Sequence, residues 1–95
     1  MTRVRSHPGQ LLRAELEARE MSANQLALAL RVPANRITGI LRGERSVTAE
    51  TALRLGRFFG TGAAFWMNLQ TAHDISRIEA ELGDRIEEEV AAPSG

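Results

Sequence analysis

Leucine and isoleucine recur along this chain at spacings of three and four, in short runs closed by turn residues. No stretch alternates with a period of two for long enough to argue for a strand. A first helix is expected over 8–20, with Leu12 and Leu16 on one face. Pro8 suits its first turn, where the missing N–H would have no partner anyway, and Gly9 costs little there. Ser22, followed three residues on by Gln25, is a capping-box pattern. It opens a second helix over 23–30, whose inward stripe is Leu26, Ala27 and Leu30, with Leu28 at its edge. Pro33 biases Val32 away from helical angles, so the chain breaks there. A third helix follows over 33–41 with Ile37, Ile40 and Leu41 inward, and Gly43 is a natural stop. Thr48 caps a fourth helix over 49–59, carrying Ala52, Leu55 and Phe59, and Gly60 ends it. Thr61 is expected to cap a fifth helix, begun by Phe65, Trp66 and Leu69 and continued by Ile75, Ile78, Leu82 and Ile86. Gly83 weakens this last stretch by ~1 kcal/mol relative to alanine, so a break or frayed end is expected there. The pattern predicts an all-α domain of five helices over residues 1–90, the last one extended, with a disordered tail over 91–95.

Residues 22–42 carry the functional signal. A turn of two or three residues forces the second and third helices to cross steeply, which is the helix-turn-helix layout. Ala27 sits at the crossing, where a larger side chain would push the helices apart. Leu26, Leu30, Val32, Ile37 and Ile40 fill the space beneath. Arg31 stands in the turn at the place where glycine is usual. The third helix then projects a polar face suited to the major groove. On it, Arg36 and Arg42 suit guanine, Asn35 suits adenine, and Thr38 suits a hydrogen bond or a thymine methyl. Ala34 at the tip suits a thymine methyl, and Gly39 is expected to let the backbone approach closely. Arg45 in the following loop is placed for a phosphate. So are Ser22, Asn24 and Gln25, because a helix N-terminus favours an anion. The competing reading is a solvated face on an ordinary helical bundle.

Charge sharpens this picture. The net charge is zero, yet every basic residue is arginine and the arginines gather at the front. Residues 1–60 hold ten arginines against five acidic residues; residues 61–95 hold two against seven. A basic front and an acidic back suit one surface for an anionic partner and another turned away from it. With no cysteine and two histidines 66 positions apart, neither a disulfide framework nor a metal centre is expected, and no cofactor is implied. No apolar run approaches the ~18 residues of a membrane span, so a cytoplasmic protein with no membrane partner is expected.

Several strings together resemble the HigA-type antitoxins of the Xre/λ-repressor-like group. They are His7-Pro8-Gly9, Leu26-Ala27, Val32-Pro33-Ala34-Asn35-Arg36-Ile37, Gly43-Glu44-Arg45, Thr51-Ala52-Leu53-Arg54-Leu55, Phe59-Gly60-Thr61 and Trp66-Met67-Asn68-Leu69-Gln70. The likeness covers about residues 6–75. It departs from the pattern at His73, where an aromatic residue is usual, and along the tail beyond residue 75. The resemblance implies a homodimeric repressor of its own promoter. It also implies a partner, a HigB-like toxin that is a small RelE-like endoribonuclease.

The four aromatic residues fall within nine positions and are expected in the core where the last two helices meet. Trp66 is also a candidate dimer anchor, and Phe58, off the inward stripe, is the best candidate for exposure. Ile75, Ile78 and Leu82, with Ile86, make a stripe too wide for a lone terminal helix. It is expected to bury against a second subunit or against the first helix. A two-fold dimer would space two reading helices by ~34 Å, so the operator should be an inverted repeat. Glu87-Glu88-Glu89 reads as a solvated helix end, or as an acidic surface for a basic toxin. His7 is expected to be an N-terminal cap or a turn residue, and His73 to pair with Asp74. No serine has a histidine partner in local sequence and no acidic metal cluster stands out, which argues against an enzyme. The alternative to an antitoxin is a stand-alone Xre-type regulator, or an orphan interaction protein without a toxin.

Overall fold

In the computed structural model, which describes residues 3–93, the order is α1 (Pro8–Ala18), α2 (Ala23–Leu30), α3 (Ala34–Leu41), α4 (Ala49–Phe59) and α5 (Ala63–Glu89). Among the described residues there is no strand. The expected bounds of α2 and α4 coincide with the observed ones because their caps are local. Ser22 Oγ accepts from the Gln25 amide at 3.1 Å while Gln25 Oε1 accepts from the Ser22 amide at 2.8 Å. Thr48 Oγ1 accepts from the Thr51 amide at 3.4 Å. His7 caps α1 as expected, its Nδ1 accepting from the Gly9 amide at 2.9 Å.

Four boundaries differ from the sequence reading. Helix α1 stops at Ala18, and Glu20 turns the chain with a φ of 54°. Pro33 is the cap of α3 rather than its first residue, in extended geometry at ψ 143°. Thr61 does not cap α5. Gly62 does, with a φ of 81°, and the Thr61 hydroxyl instead accepts from Trp66 Nε1 at 2.9 Å. Finally, α5 runs unbroken through Gly83 to Glu89. Ion pairs one turn apart, Arg77–Glu81 and Arg85–Glu89, bracket the glycine and offset part of its cost. The expected tail begins where α5 ends; residues 94 and 95 lie outside the described residues.

One core sits beneath the helix crossings. Leu12, Leu26, Ile37, Ile40, Ala52 and Leu55 are fully buried, joined by Leu16, Ala27, Leu30, Val47 and Trp66. Trp66, a candidate dimer residue from its type, is only 1% exposed and belongs to this core. It lies between Phe59 and Phe65, with ring centroids 5.7 and 5.3 Å away. Its indole N–H is satisfied within the chain, so burying it leaves no donor stranded. Gly9 does more than tolerate its place. A Cβ there would lie 2.0 Å from the Ile40 carbonyl oxygen, so α1 reaches α3 only through glycine.

Among the described residues the buried polar side chains are satisfied. Gln70 Oε1 accepts from the Val47 amide at 2.8 Å and its Nε2 donates to Asp74 Oδ1 at 2.9 Å, fixing the segment between α3 and α4 onto α5. Asp74 therefore pairs with Gln70 rather than with His73. His73 Nδ1 instead lies 2.7 Å from the Arg5 carbonyl, which requires that nitrogen to donate. Ser76 Oγ accepts from the Arg5 amide at 2.7 Å.

The molecule is 53 Å long but only 23 and 21 Å across. At ~1.5 Å per residue, α5 spans most of that length. Its first half packs on α4 and α1, and its second half extends beyond the body. Ile75, Leu82 and Ile86 are 54%, 39% and 46% exposed and Ile78 is half-buried, so α1 does not cover this stripe.

Candidate nucleic-acid interface

The crossing of α2 and α3 depends on one left-handed residue. Arg31 takes φ 59° and ψ 47°, and its amide turns back to the Ala27 and Leu28 carbonyls. Glycine would adopt these angles without strain. The Val32 amide donates a hydrogen bond to the Ala27 carbonyl at 3.0 Å, which closes the end of α2. Arg54 Nη1 donates to the Leu30 carbonyl at 2.9 Å and completes that closure from α4.

With Ile37 and Ile40 fully buried, the other side of α3 turns outward. Ala34, Asn35 and Arg42 are exposed, while Arg36 and Thr38 are half-buried at the rim. Thr38 Oγ1 donates to the Asn35 carbonyl at 3.3 Å. Ser22, Asn24 and Gln25 are exposed at the start of α2, and Arg45 is exposed in the loop after α3. In the capping box Gln25 uses its carbonyl oxygen and keeps its amide donors; Ser22 keeps its hydroxyl proton. A phosphate at this helix start would meet these donors.

Gly39 departs from the expectation. It is buried beneath its own loop rather than open to a duplex. A Cβ there would lie 2.7 Å from Arg45 Cδ, and the amides of Glu44 and Arg45 both bond the Gly39 carbonyl, at 2.9 and 3.1 Å. The glycine lets the arginine stem lie flat on α3, so it positions Arg45 and does not itself face outward.

Not every arginine at the front is free for a ligand. Arg13 Nη2 donates to the Leu41 carbonyl at 3.2 Å, closing the end of α3. Arg19 lies over the Phe59 ring at 4.7 Å and pairs with Glu15. Arg36 Nη1 lies 3.5 Å from Glu50 Oε1, so a residue expected to read bases has an acidic neighbour that sequence spacing did not flag. Fourteen positions separate the two, and only the docking of α4 against the body brings them together.

Behind the loop, His7 and His73 meet edge to face with centroids 5.0 Å apart. Burial holds the His7 pKa below its usual 6.5, and the neighbouring His73 adds to this; a backbone bond with Arg45 and the charge of Asp74 oppose it. A neutral His7 is what the cap needs, because its Nδ1 must accept. Among the described residues no group of histidines and acids is arranged to hold a metal ion. No described helix is long and apolar enough to cross a membrane.

Comparison with known proteins agrees with this geometry. The helix-turn-helix family pattern matches residues 12–66. Virulence-associated protein I of Dichelobacter nodosus is 49% identical over 76 residues, covering 79% of this chain and 70% of that protein. An addiction module antidote protein of the HigA family from Coxiella burnetii superposes with a TM-score of 0.92 at 51% identity, over 96% of this chain and 100% of that one. The Pseudomonas aeruginosa antitoxin HigA, solved with the higBA promoter, superposes with a TM-score of 0.90 at 41% identity, over 94% of this chain and 98% of that one. The chain belongs to the helix-turn-helix family and has the fold of its HigA-type antitoxins.

Proposed function

We propose that this protein is the antitoxin of a HigBA-like toxin–antitoxin module and represses its own promoter as a homodimer. The observation that carries the reading is the outward side of α3. Ala34, Asn35, Arg36, Thr38 and Arg42 lie on or beside one helix, flanked by Arg45 and by Ser22, Asn24 and Gln25. These are base-reading types at the centre and phosphate-binding types at the edges. A related HigA antitoxin was solved on promoter DNA, which supports the same use here. The work is binding rather than catalysis, and it takes place in the cytoplasm.

The uncovered stripe of Ile75, Ile78 and Leu82 supports a second copy as the dimer partner; Phe58, 41% exposed, lies apart from it, beside Leu30, Arg31 and Arg57. Two copies related by a two-fold axis would present two α3 helices to an inverted repeat. The toxin partner, a small RelE-like endoribonuclease, follows from the likeness to HigA-type antitoxins.

Mobility shift on the promoter upstream of the gene tests the DNA half. Arg36→Ala should cost ~1–3 kcal/mol and relax preference at one base pair, whereas Arg45→Ala should weaken all duplexes evenly and flatten the salt dependence. Parent-like operator binding by Arg36→Ala would remove α3 as the reading helix. Copurification with the product of the adjacent reading frame tests the toxin half. Its failure would leave a stand-alone Xre-type regulator.

A further inference from the structure

Arg36 is the sole arginine within α3, and the structure gives it a partner inside the chain. Glu50, in the first turn of α4, places Oε1 3.5 Å from Arg36 Nη1. Its other oxygen accepts from Arg54 Nε at 3.2 Å, and Arg54 is in turn fixed to the Leu30 carbonyl at the end of α2. One carboxylate is therefore shared between a structural arginine and a reading arginine. The Glu50 side chain is 60% exposed and that of Arg36 30%. Ion pairs this open contribute little to folding. Their effect falls instead on what Arg36 can bind next.

An arginine with no partner beside a duplex joins any phosphate and releases a counterion, which raises affinity for every sequence alike. An arginine already paired to a carboxylate exchanges one anion for another on meeting a lone phosphate, and gains little. A guanine edge offers two acceptors in the plane of the guanidinium, to which the N–H groups not facing Glu50 can donate. We propose that Glu50 is a specificity-determining residue for duplex binding: it holds Arg36 against capture by phosphates, so that Arg36 contributes where a base edge presents paired acceptors. This rests on the reading of α3 as the DNA-facing helix. Specificity of this kind comes from weakening the wrong complex rather than strengthening the right one.

The experiment is an anisotropy titration of the full chain with two duplexes of equal length, the promoter sequence and a scrambled version, over a range of salt. The proteins are the parent, E50Q, E50D, R36A and the double variant E50Q/R36A, each checked for its thermal transition. E50Q should bind the scrambled duplex ~5–10-fold tighter, bind the promoter within about twofold of the parent, and steepen the non-specific salt slope by about one counterion. E50D keeps the charge but is one methylene shorter, so it should also lose at least about threefold of the promoter-to-scrambled ratio. In the R36A background, E50Q should change scrambled binding by less than about twofold, because no Arg36 is left to release. An E50Q effect that persists in full without Arg36, an E50D ratio equal to the parent's, or an unchanged ratio in E50Q would each overturn the proposal. A parent that shows no preference for its promoter fails at an earlier step and overturns the DNA reading itself.

Discussion

The helix-turn-helix body and the outer half of α5 are made from the same residue types and end in opposite states. In the body, leucines and isoleucines at helical spacing meet partners from other helices and lose all contact with water, as Leu12, Ile37 and Leu55 do. From residue 75 onward the same spacing leaves Ile75, Leu82 and Ile86 open. Periodicity declares that a face is apolar but not which surface covers it. The body closes on itself because short turns fold α1 to α4 over one another. Among the described residues no other helix covers the outer half of α5, which carries its own ion pairs one turn apart.

Substitution should separate the two regions sharply. Trp66→Ala should destabilise the protein by ~3–5 kcal/mol in urea unfolding, since a fully packed indole is lost. Leu82→Ala, at protein concentrations too low for association, should change stability by less than ~0.5 kcal/mol. A Leu82→Ala loss as large as that of Trp66→Ala would mean that the outer half of α5 is part of the monomer core. Conversely, Ile75→Glu with Leu82→Glu should leave the melting of dilute protein nearly unchanged. It should shift the sedimenting species to the single-chain mass and weaken operator binding by ~100-fold or more, because half-sites would then be bound singly. A parent that already sediments as one chain would break the comparison at its outer end.

Within the body, most of the fold was legible from local signals. The capping box of Ser22 and Gln25 needs only four residues to be recognised, and it set the start of α2 correctly. Arg31 in place of glycine was visible as a departure, and the structure shows that the departure is met by strain rather than by a different turn. Arg31→Gly should therefore stabilise the protein by ~1 kcal/mol, read as a raised denaturation midpoint. The features that sequence did not show depend on distant packing. Helical position alone places Gly39 beside Thr38 and outward; the loop that buries it is a tertiary feature. Thr61 and Gly62 both suit a helix start, and the indole of Trp66 decides between them by claiming the threonine. Glu50 beside Arg36, and His7 beside His73, follow from how α4 and α5 dock.

A smaller effect sharpens the view of the loop side of the body. Burial, with His73 beside it, lowers the His7 pKa in the folded chain relative to the unfolded one. The unfolded chain then binds the proton more readily. The stability this contributes is present above the ordinary histidine pKa and is lost as pH falls through the folded value. The melting temperature should decline from neutral pH toward mild acid. His7→Asn, which keeps a capping oxygen but does not titrate, should flatten that decline; an unaltered slope would place the responsible group elsewhere.

The backbone bonds from Arg5 to Ser76 and His73 join the beginning of the described chain to the middle of its longest helix. Any tilt of that helix would carry the leading residues along, and a pull on the leading residues would be felt at the helix. A reporter dye or affinity handle fused ahead of this joint would therefore disturb the arm proposed for subunit pairing, whereas a probe at an exposed site such as Leu28 or Leu53 would be mechanically silent.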